Sequence, residues 1–363
     1  MLHWLQKMTM KRSKGPELLP HPADHARLTK TISEVKTLLS DIEIGPHIGA
    51  GTFGKVYKGR WKGTSVAVKV IGHQGAGYKT NSQTSREAMI GLASAHPNVV
   101  AVYRVITEEN EVIAAEIWAK DGFNLKTYIV MEYCDKGTLE QHRKAGWVLL
   151  QRDYPRGFVW VLRCLLEIVF GMEYLHSLSI VHGDLKCANV LCKSSTSDAR
   201  GFTCKVADFG LSKTVATDGV SAITSKPGTA VFAAPELLRA GSLAAESDVY
   251  SFGVVAWHLI SMGSGLADME DVQIHYQVLE KNWRPAFPAE TPQQYQDVVS
   301  ACWATEKKDR PTFHEVRLTL TKMLAKEVAA RSESLRSQRS QSGDVDVRTA
   351  LRDIVVDPRS LTG

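Results

Sequence analysis

The stretch His182-Gly183-Asp184-Leu185-Lys186-Cys187-Ala188-Asn189, with Ala207-Asp208-Phe209-Gly210 after it, decides how this chain reads. Asp184 is followed five positions later by Asn189, and a second aspartate, Asp208, stands directly ahead of Phe-Gly. Three oxygen-bearing side chains are thus gathered near two turns. Phosphoryl transfer from ATP asks little covalent chemistry of a protein. It asks for one carboxylate to orient the attacking hydroxyl and for hard oxygen ligands to Mg²⁺. Asp184 suits the first task, and Asn189 with Asp208 suits the second.

HGDLKCAN plus DFG resembles the catalytic loop and the metal-binding loop of the eukaryotic protein kinases. The resemblance implies an α+β bilobal fold, with a small antiparallel β-sheet lobe carrying one helix and a larger, mostly helical lobe. It implies ATP and Mg²⁺ as cofactors, Asp184 and Lys186 as catalytic residues, and Asn189 and Asp208 as metal ligands. Lys186 resembles the Ser/Thr form of the loop, in which the lysine contacts the transferring phosphate, so the acceptor is expected to be serine or threonine. One position departs from the pattern: Gly183 stands where most such kinases carry arginine.

From Ile44 the chain reads IGPHIGAGTFGKVYKGRWKGTSVAVKVI, two β-rich runs around a glycine-rich turn, then a Trp-Lys-Gly-Thr hairpin. Gly49, Gly51 and Gly54 have the spacing G-x-G-x-x-G, a weak signal alone. Context strengthens it, because Val56 follows and Lys69 ends a VAVK strand, the order of a glycine-rich flap over ATP followed by a phosphate-binding lysine. A dinucleotide fingerprint would need a helix to begin at the glycines, whereas KVYKG is strand-like. By resemblance Ile48, Val56, Ala67, Met131 and Leu191 also line the nucleotide site, with Glu132 and Cys134 supplying hinge contacts to adenine. Glu87, in SREAMIGLASAH, is the implied ion-pair partner of Lys69. Gly91, one turn later, weakens that helix by about 1 kcal/mol relative to alanine, so its in/out position is expected to be finely balanced.

Val99 to Thr107 and Lys126 to Tyr133 read as the next strands, separated by a connection longer than most hairpin loops. Phe158 to Leu178 is a long, mostly apolar run suited to a central helix, and within it Phe158 to Phe170, broken by Arg163 and Glu167, reads as a buried helix with one wet face. Between DFG and AAPE lie Thr214, Thr217, Ser221, Thr224 and Ser225, all plausible phosphosites, and Thr229 resembles the substrate-positioning threonine. Resemblance also implies that Asp248 accepts backbone N–H groups of the catalytic loop and that Glu236 pairs with Arg310. The vocabulary SDVYSFGV and CWATEKKDRPTF looks most like the tyrosine-kinase-like group of Ser/Thr kinases, including Raf-like and plant or algal members.

The expected organisation is an N-terminal extension over 1–41 and a kinase domain over 42–326, its lobes meeting near 135. A Ser/Arg-rich tail over 327–363 is expected to be disordered. With 363 residues, 44% hydrophobic and 23% charged, the chain can bury one large core. A formal charge of +5 is too weak to argue for nucleic acid. Six cysteines without C-x-x-C spacing read as free thiols of a reducing compartment. No run reaches the roughly 18 to 20 apolar residues of a membrane span, and the basic residues of the N-terminus follow its apolar ones, unlike a secretory signal. The cytoplasm is the expected location, the nucleus remaining open. A protein substrate and an upstream regulator are the expected partners. Two other readings stand beside a Ser/Thr kinase: a pseudokinase scaffold, toward which Gly183 and Gly91 lean, and a dual-specificity kinase.

Overall fold

The computed structural model describes residues 41–51, 54–73, 95–109, 125–146, 154–196, 199–209, 212–214, 222–223, 230–261 and 271–342. Five strands come first: β1 (Ile42–Gly51), β2 (Gly54–Trp61), β3 (Thr64–His73), β4 (Val102–Glu109) and β5 (Leu125–Glu132). They form one antiparallel sheet in the order β1-β2-β3-β5-β4. The β2–β3 hairpin closes on Lys62 and Gly63 at φ 48° and 80°, the two positive values that a tight hairpin twisting with its strands requires. Alternation then divides the faces. Val66, Val68 and Val130 join Ile42 and Ile106 in a small core, which turns Ala67 and Lys69 to the opposite face. Register places Val56 and Ile129 across from Lys69, and Met131 across from Ala67. A strip of apolar side chains around one lysine results.

The helical lobe is built on α1 (Leu139–Lys144), α2 (Tyr154–Ser177), α3 (Pro235–Ala240), α4 (Ala245–Ile260), α5 (Asp271–Glu280), α6 (Gln293–Cys302) and α7 (Phe313–Ser342). Its core joins Phe158, Leu162, Leu165, Ile168 and Met172 of α2 to Tyr250, Phe252 and Trp257 of α4, and to Val316 and Leu320 of α7. Burying each such large side chain stabilises the fold by about 1.5–3 kcal/mol. Short strands complete the lobe: β6 (Ile180–Val181) pairs with β9 (Lys213–Thr214), β7 (Val190–Ser194) with β8 (Phe202–Val206), and β10 (Ala222–Ile223) with β11 (Ser242–Leu243).

Three expectations are corrected. The strand expected from Val99 begins at Val102, because the residues before it bind the other lobe: Val100 N–H donates to Val206 O at 2.9 Å and Val206 N–H to Asn98 O at 2.8 Å. Helix α2 admits this close approach through Gly171, where a Cβ would lie 2.6 Å from Asn98 O. Of the two charges expected to wet one face of α2, Arg163 is instead buried, while half-buried Glu167 meets both terminal nitrogens of buried Arg200 at 2.6 and 3.0 Å and accepts Cys204 N–H at 2.9 Å. Finally, the segment past Lys326 is not disordered up to Ser342, since α7 runs through it. Alanine, glutamate, arginine, leucine and glutamine fill that extension, and their helix propensity outweighs its serines. Among the described residues, no helix is long and apolar enough to cross a membrane.

Candidate active site

The loop between β6 and β7 carries Asp184, and its shape is set from below by Asp248 of α4. That carboxylate is fully buried and accepts His182 N–H at 2.8 Å, Gly183 N–H at 2.9 Å and His176 Nε2 at 2.9 Å. Gly183 stands at φ 77°, in the left-handed region where a side chain costs about 1–2 kcal/mol. Glycine holds this turn without strain. His182, fully buried, bridges the two motifs: Nε2–H donates to Ala207 O at 3.0 Å, while Nδ1 accepts Asp184 N–H at 3.2 Å. One neutral tautomer satisfies both contacts. Its ring also packs on Phe209, centroids 5.6 Å apart. Residue-by-residue reading passed over His182, although a histidine two positions before the central aspartate was the available signal.

Asp184 is nearly buried, and its Oδ2 accepts Lys186 Nζ at 2.8 Å and Asn189 Nδ2 at 3.0 Å. Asn189 Nδ2 also donates to Asp184 O at 2.8 Å, in the short helical turn Cys187–Asn189. With its nitrogen committed to the loop, the amide presents oxygen as its cation-binding atom. Asp208 stands at φ 67°, an uncommon conformation for a residue with a side chain, and its Oδ1 accepts Lys69 Nζ at 2.7 Å. Lys69 is only 4% exposed. A buried ammonium requires such a partner, and this pair ties the sheet to the helical lobe across 139 residues of sequence. The Asn189 amide oxygen and the Asp208 carboxylate are oxygen donors of the kind that would fit a hard cation such as Mg²⁺.

The glycine-rich turn divides into two kinds of glycine. A Cβ on Gly54 would lie 2.3 Å from Val70 O, so packing within the sheet demands glycine there. A Cβ on Gly49 would meet nothing within 4 Å. The sheet itself leaves Gly49 unconstrained, as suits a backbone approached by a ligand. Ile48 falls in the bulge between the His47–Tyr57 and Gly49–Val56 pairs and is 46% exposed, and Gly51 pairs with Gly54 at the end of the hairpin. Leu191 of β7 bridges to Thr138, directly after the hinge, where Lys136 N–H donates to Cys192 O at 2.9 Å.

At the hinge, Glu132 N–H is committed to Ala101 O at 2.8 Å. That leaves the Glu132 carbonyl, with Tyr133 and Cys134 after the end of β5, as the backbone that could meet an adenine. The Glu132 side chain turns instead to Lys193 at 2.5 Å and Lys205 at 3.0 Å. Burial pushes its carboxyl up, but the two ammonium groups outweigh burial and hold it below the ordinary value. Burial and neighbouring Glu132 push the Cys134 thiol up to about 12, which leaves it protonated and weakly nucleophilic. Glu87, Gly91, Thr217, Ser221, Thr224, Ser225 and Thr229 lie outside the described residues, and Thr214 contributes its backbone to β9. Glu236 and Arg310 do meet, through two contacts of 2.8 Å, with Ser247 Oγ donating to Glu236 at 2.8 Å.

A family model described as protein tyrosine and serine/threonine kinase matches residues 42–320. The chain belongs to this kinase family. Among curated relatives, a probable LIM domain-containing serine/threonine-protein kinase of Dictyostelium discoideum is 32% identical over 316 residues, covering 86% of this chain and 29% of that protein. The probable serine/threonine-protein kinase SIS8 of Arabidopsis thaliana is 32% identical over 296 residues, 80% of this chain and 26% of that protein. The dual specificity protein kinase splA of Dictyostelium discoideum is 29% identical over 304 residues, 80% of this chain and 12% of that protein. The kinase chain thus spans well under half the length of these relatives. Its fold is the mixed α+β arrangement of a sheet lobe and a helical lobe, as expected.

Proposed function

We propose that the protein transfers the γ-phosphate of ATP to serine or threonine hydroxyls of protein substrates, using Mg²⁺ and acting inside the cell. One observation carries the reading: Asp184, Lys186 and Asn189 are hydrogen-bonded into one cluster while Lys69 and Asp208 meet from opposite lobes. Asp184 would orient the acceptor hydroxyl and take its proton as the new P–O bond forms and the bond from the γ-phosphorus to the bridging oxygen breaks, releasing ADP. Lys186, held on the same carboxylate, would offset negative charge developing on the transferring phosphoryl group. Lys69 would move part of its charge onto the nucleotide phosphates. Asn189 and Asp208 would hold Mg²⁺, which supplies charge neutralisation at the phosphates when bound. The described cysteines are all free thiols, in keeping with a reducing compartment.

Gly183 supports a further part of the reading. Lacking a guanidinium, this position offers nothing to pair with a phosphate on the activation segment. Asp248 already fixes the loop through the Gly183 N–H. Activity is therefore expected to depend little on phosphorylation of that segment, and changing Thr214, Thr217, Ser221, Thr224 and Ser225 together to alanine should leave most of it. A fall to the level of Asp184→Asn would refute this part.

Dual specificity is the second reading, favoured by the similarity to the dual specificity protein kinase splA. Phosphoamino-acid analysis of a degenerate peptide library, phosphorylated by wild type beside Asp184→Asn, separates the two. Phosphoserine and phosphothreonine alone support the first reading, and added phosphotyrosine supports the second. No phosphate above the variant would leave the scaffold reading.

A further inference from the structure

Beside the catalytic loop, three side chains from separate elements converge. Glu140 comes from the first turn of α1, Cys187 from the turn that follows Lys186, and His258 from the last turn of α4. One ligand-capable atom from each lies within 4.8 Å of the others. His258 Nδ1 is buried and has no hydrogen-bond partner. A buried, unpartnered ring nitrogen asks for something the protein itself does not supply. Carboxylate, thiol and imidazole together suit a borderline-soft divalent ion such as Zn²⁺ far better than Mg²⁺.

We propose that Glu140, Cys187 and His258 form a binding site for Zn²⁺ that clamps the catalytic loop to α1 and α4. A tetrahedral zinc places its ligands about 3.3–3.8 Å apart, so side chains already within 4.8 Å of one another need at most a small closure to hold it. Glu140 is now held by Arg143 at 2.8 and 2.9 Å, and would share its carboxylate with the ion. Because Cys187 lies between Lys186 and Asn189, occupancy would act on the loop that carries the phosphotransfer residues.

The test uses the full chain, stripped of metal and titrated with Zn²⁺ against a chromophoric chelator, with Co²⁺ as the spectroscopic stand-in. One equivalent is expected to bind wild type and Lys69→Met alike, with a thiolate-to-cobalt charge-transfer band. Cys187→Ala and His258→Gln should each lower affinity at least tenfold and weaken or remove the band. Two variants are used so that a folding defect in one, seen as lost thermal melting in chelator, leaves the other to decide. Stoichiometric binding without a thiolate band, equal binding by either folded variant, or no binding by wild type would each overturn the site. Since Lys69→Met keeps the zinc site but abolishes transfer, failure here is distinguishable from failure of the kinase reading.

Discussion

At the scale of single residues, the site rests on a few side chains whose removal has distinct signatures. Asp184→Asn keeps the size of the group and its contact with Lys186, yet removes the proton acceptor. It is expected to lower kcat by about 10²–10⁴-fold with little change in nucleotide affinity, which steady-state kinetics at varied ATP will resolve. Gly183→Ala places a side chain at φ 77° and is expected to cost about 1–2 kcal/mol by urea unfolding. Gly183→Arg pays the same conformational penalty but regains a phosphate partner, so activity should become responsive to activation-segment phosphorylation. These residues were legible in the sequence because the chemistry of Asp184, Asn189 and Asp208 is written in two short motifs. The clamp on Glu132 was not. Lys193 lies 61 positions from it, and nothing in a hinge-like run shows which lysines fold back onto it.

At the scale of elements, the strands of the sheet were legible from alternating valines and a Lys-Gly hairpin, since both are local rules. The start of β4 was missed because the apolar residues Val99 and Val100 serve the helical lobe, and pattern alone does not say which partner a strand-like run will choose. The end of α7 was missed because serine-rich composition was weighed above the helix formers between the serines. The two kinds of glycine in the first hairpin give a paired prediction. Gly54→Ala is expected to destabilise by about 1–3 kcal/mol, because its Cβ would meet the Val70 carbonyl at 2.3 Å. Gly49→Ala, with nothing within 4 Å, should leave unfolding unchanged and raise KM for ATP. Thermal melts beside ATP titrations of both variants check the pair. An unchanged KM in Gly49→Ala would remove the argument that a ligand approaches there.

At the scale of the whole molecule, buried ion pairs join distant segments of the helical lobe. The Arg310 side chain is fully buried and meets Glu236, the carbonyls of Ala304 and Glu246, and the face of Tyr250. Arg310→Met would strand the Glu236 carboxylate and is expected to cost about 3–5 kcal/mol at neutral pH. Burial pushes the Glu236 carboxyl up, but the Arg310 hydrogen bonds and charge prevail and hold it below its ordinary 4.5. A depressed carboxyl contributes stability that is present above about 4.5 and lost as pH falls through the folded-state value. Glu236→Gln should therefore flatten the acid limb of stability below that pH, as denaturant unfolding from pH 7 to pH 3 will show. His258 acts in the same direction over a higher window. Its value is depressed from 6.5 to about 4, so stability is full above 6.5 and declines as pH falls toward 4. The proposed activity needs one arrangement of the whole molecule, in which a carboxylate on the helical lobe and a lysine on the sheet face the same nucleotide. Its most direct test is transfer of labelled phosphate from ATP with Mg²⁺ to a generic protein substrate, by wild type, Asp184→Asn and Lys69→Met side by side. Incorporation on serine or threonine by wild type, with both variants near background, is the predicted result. Absence of transfer by wild type, or equal transfer by Asp184→Asn, would contradict it.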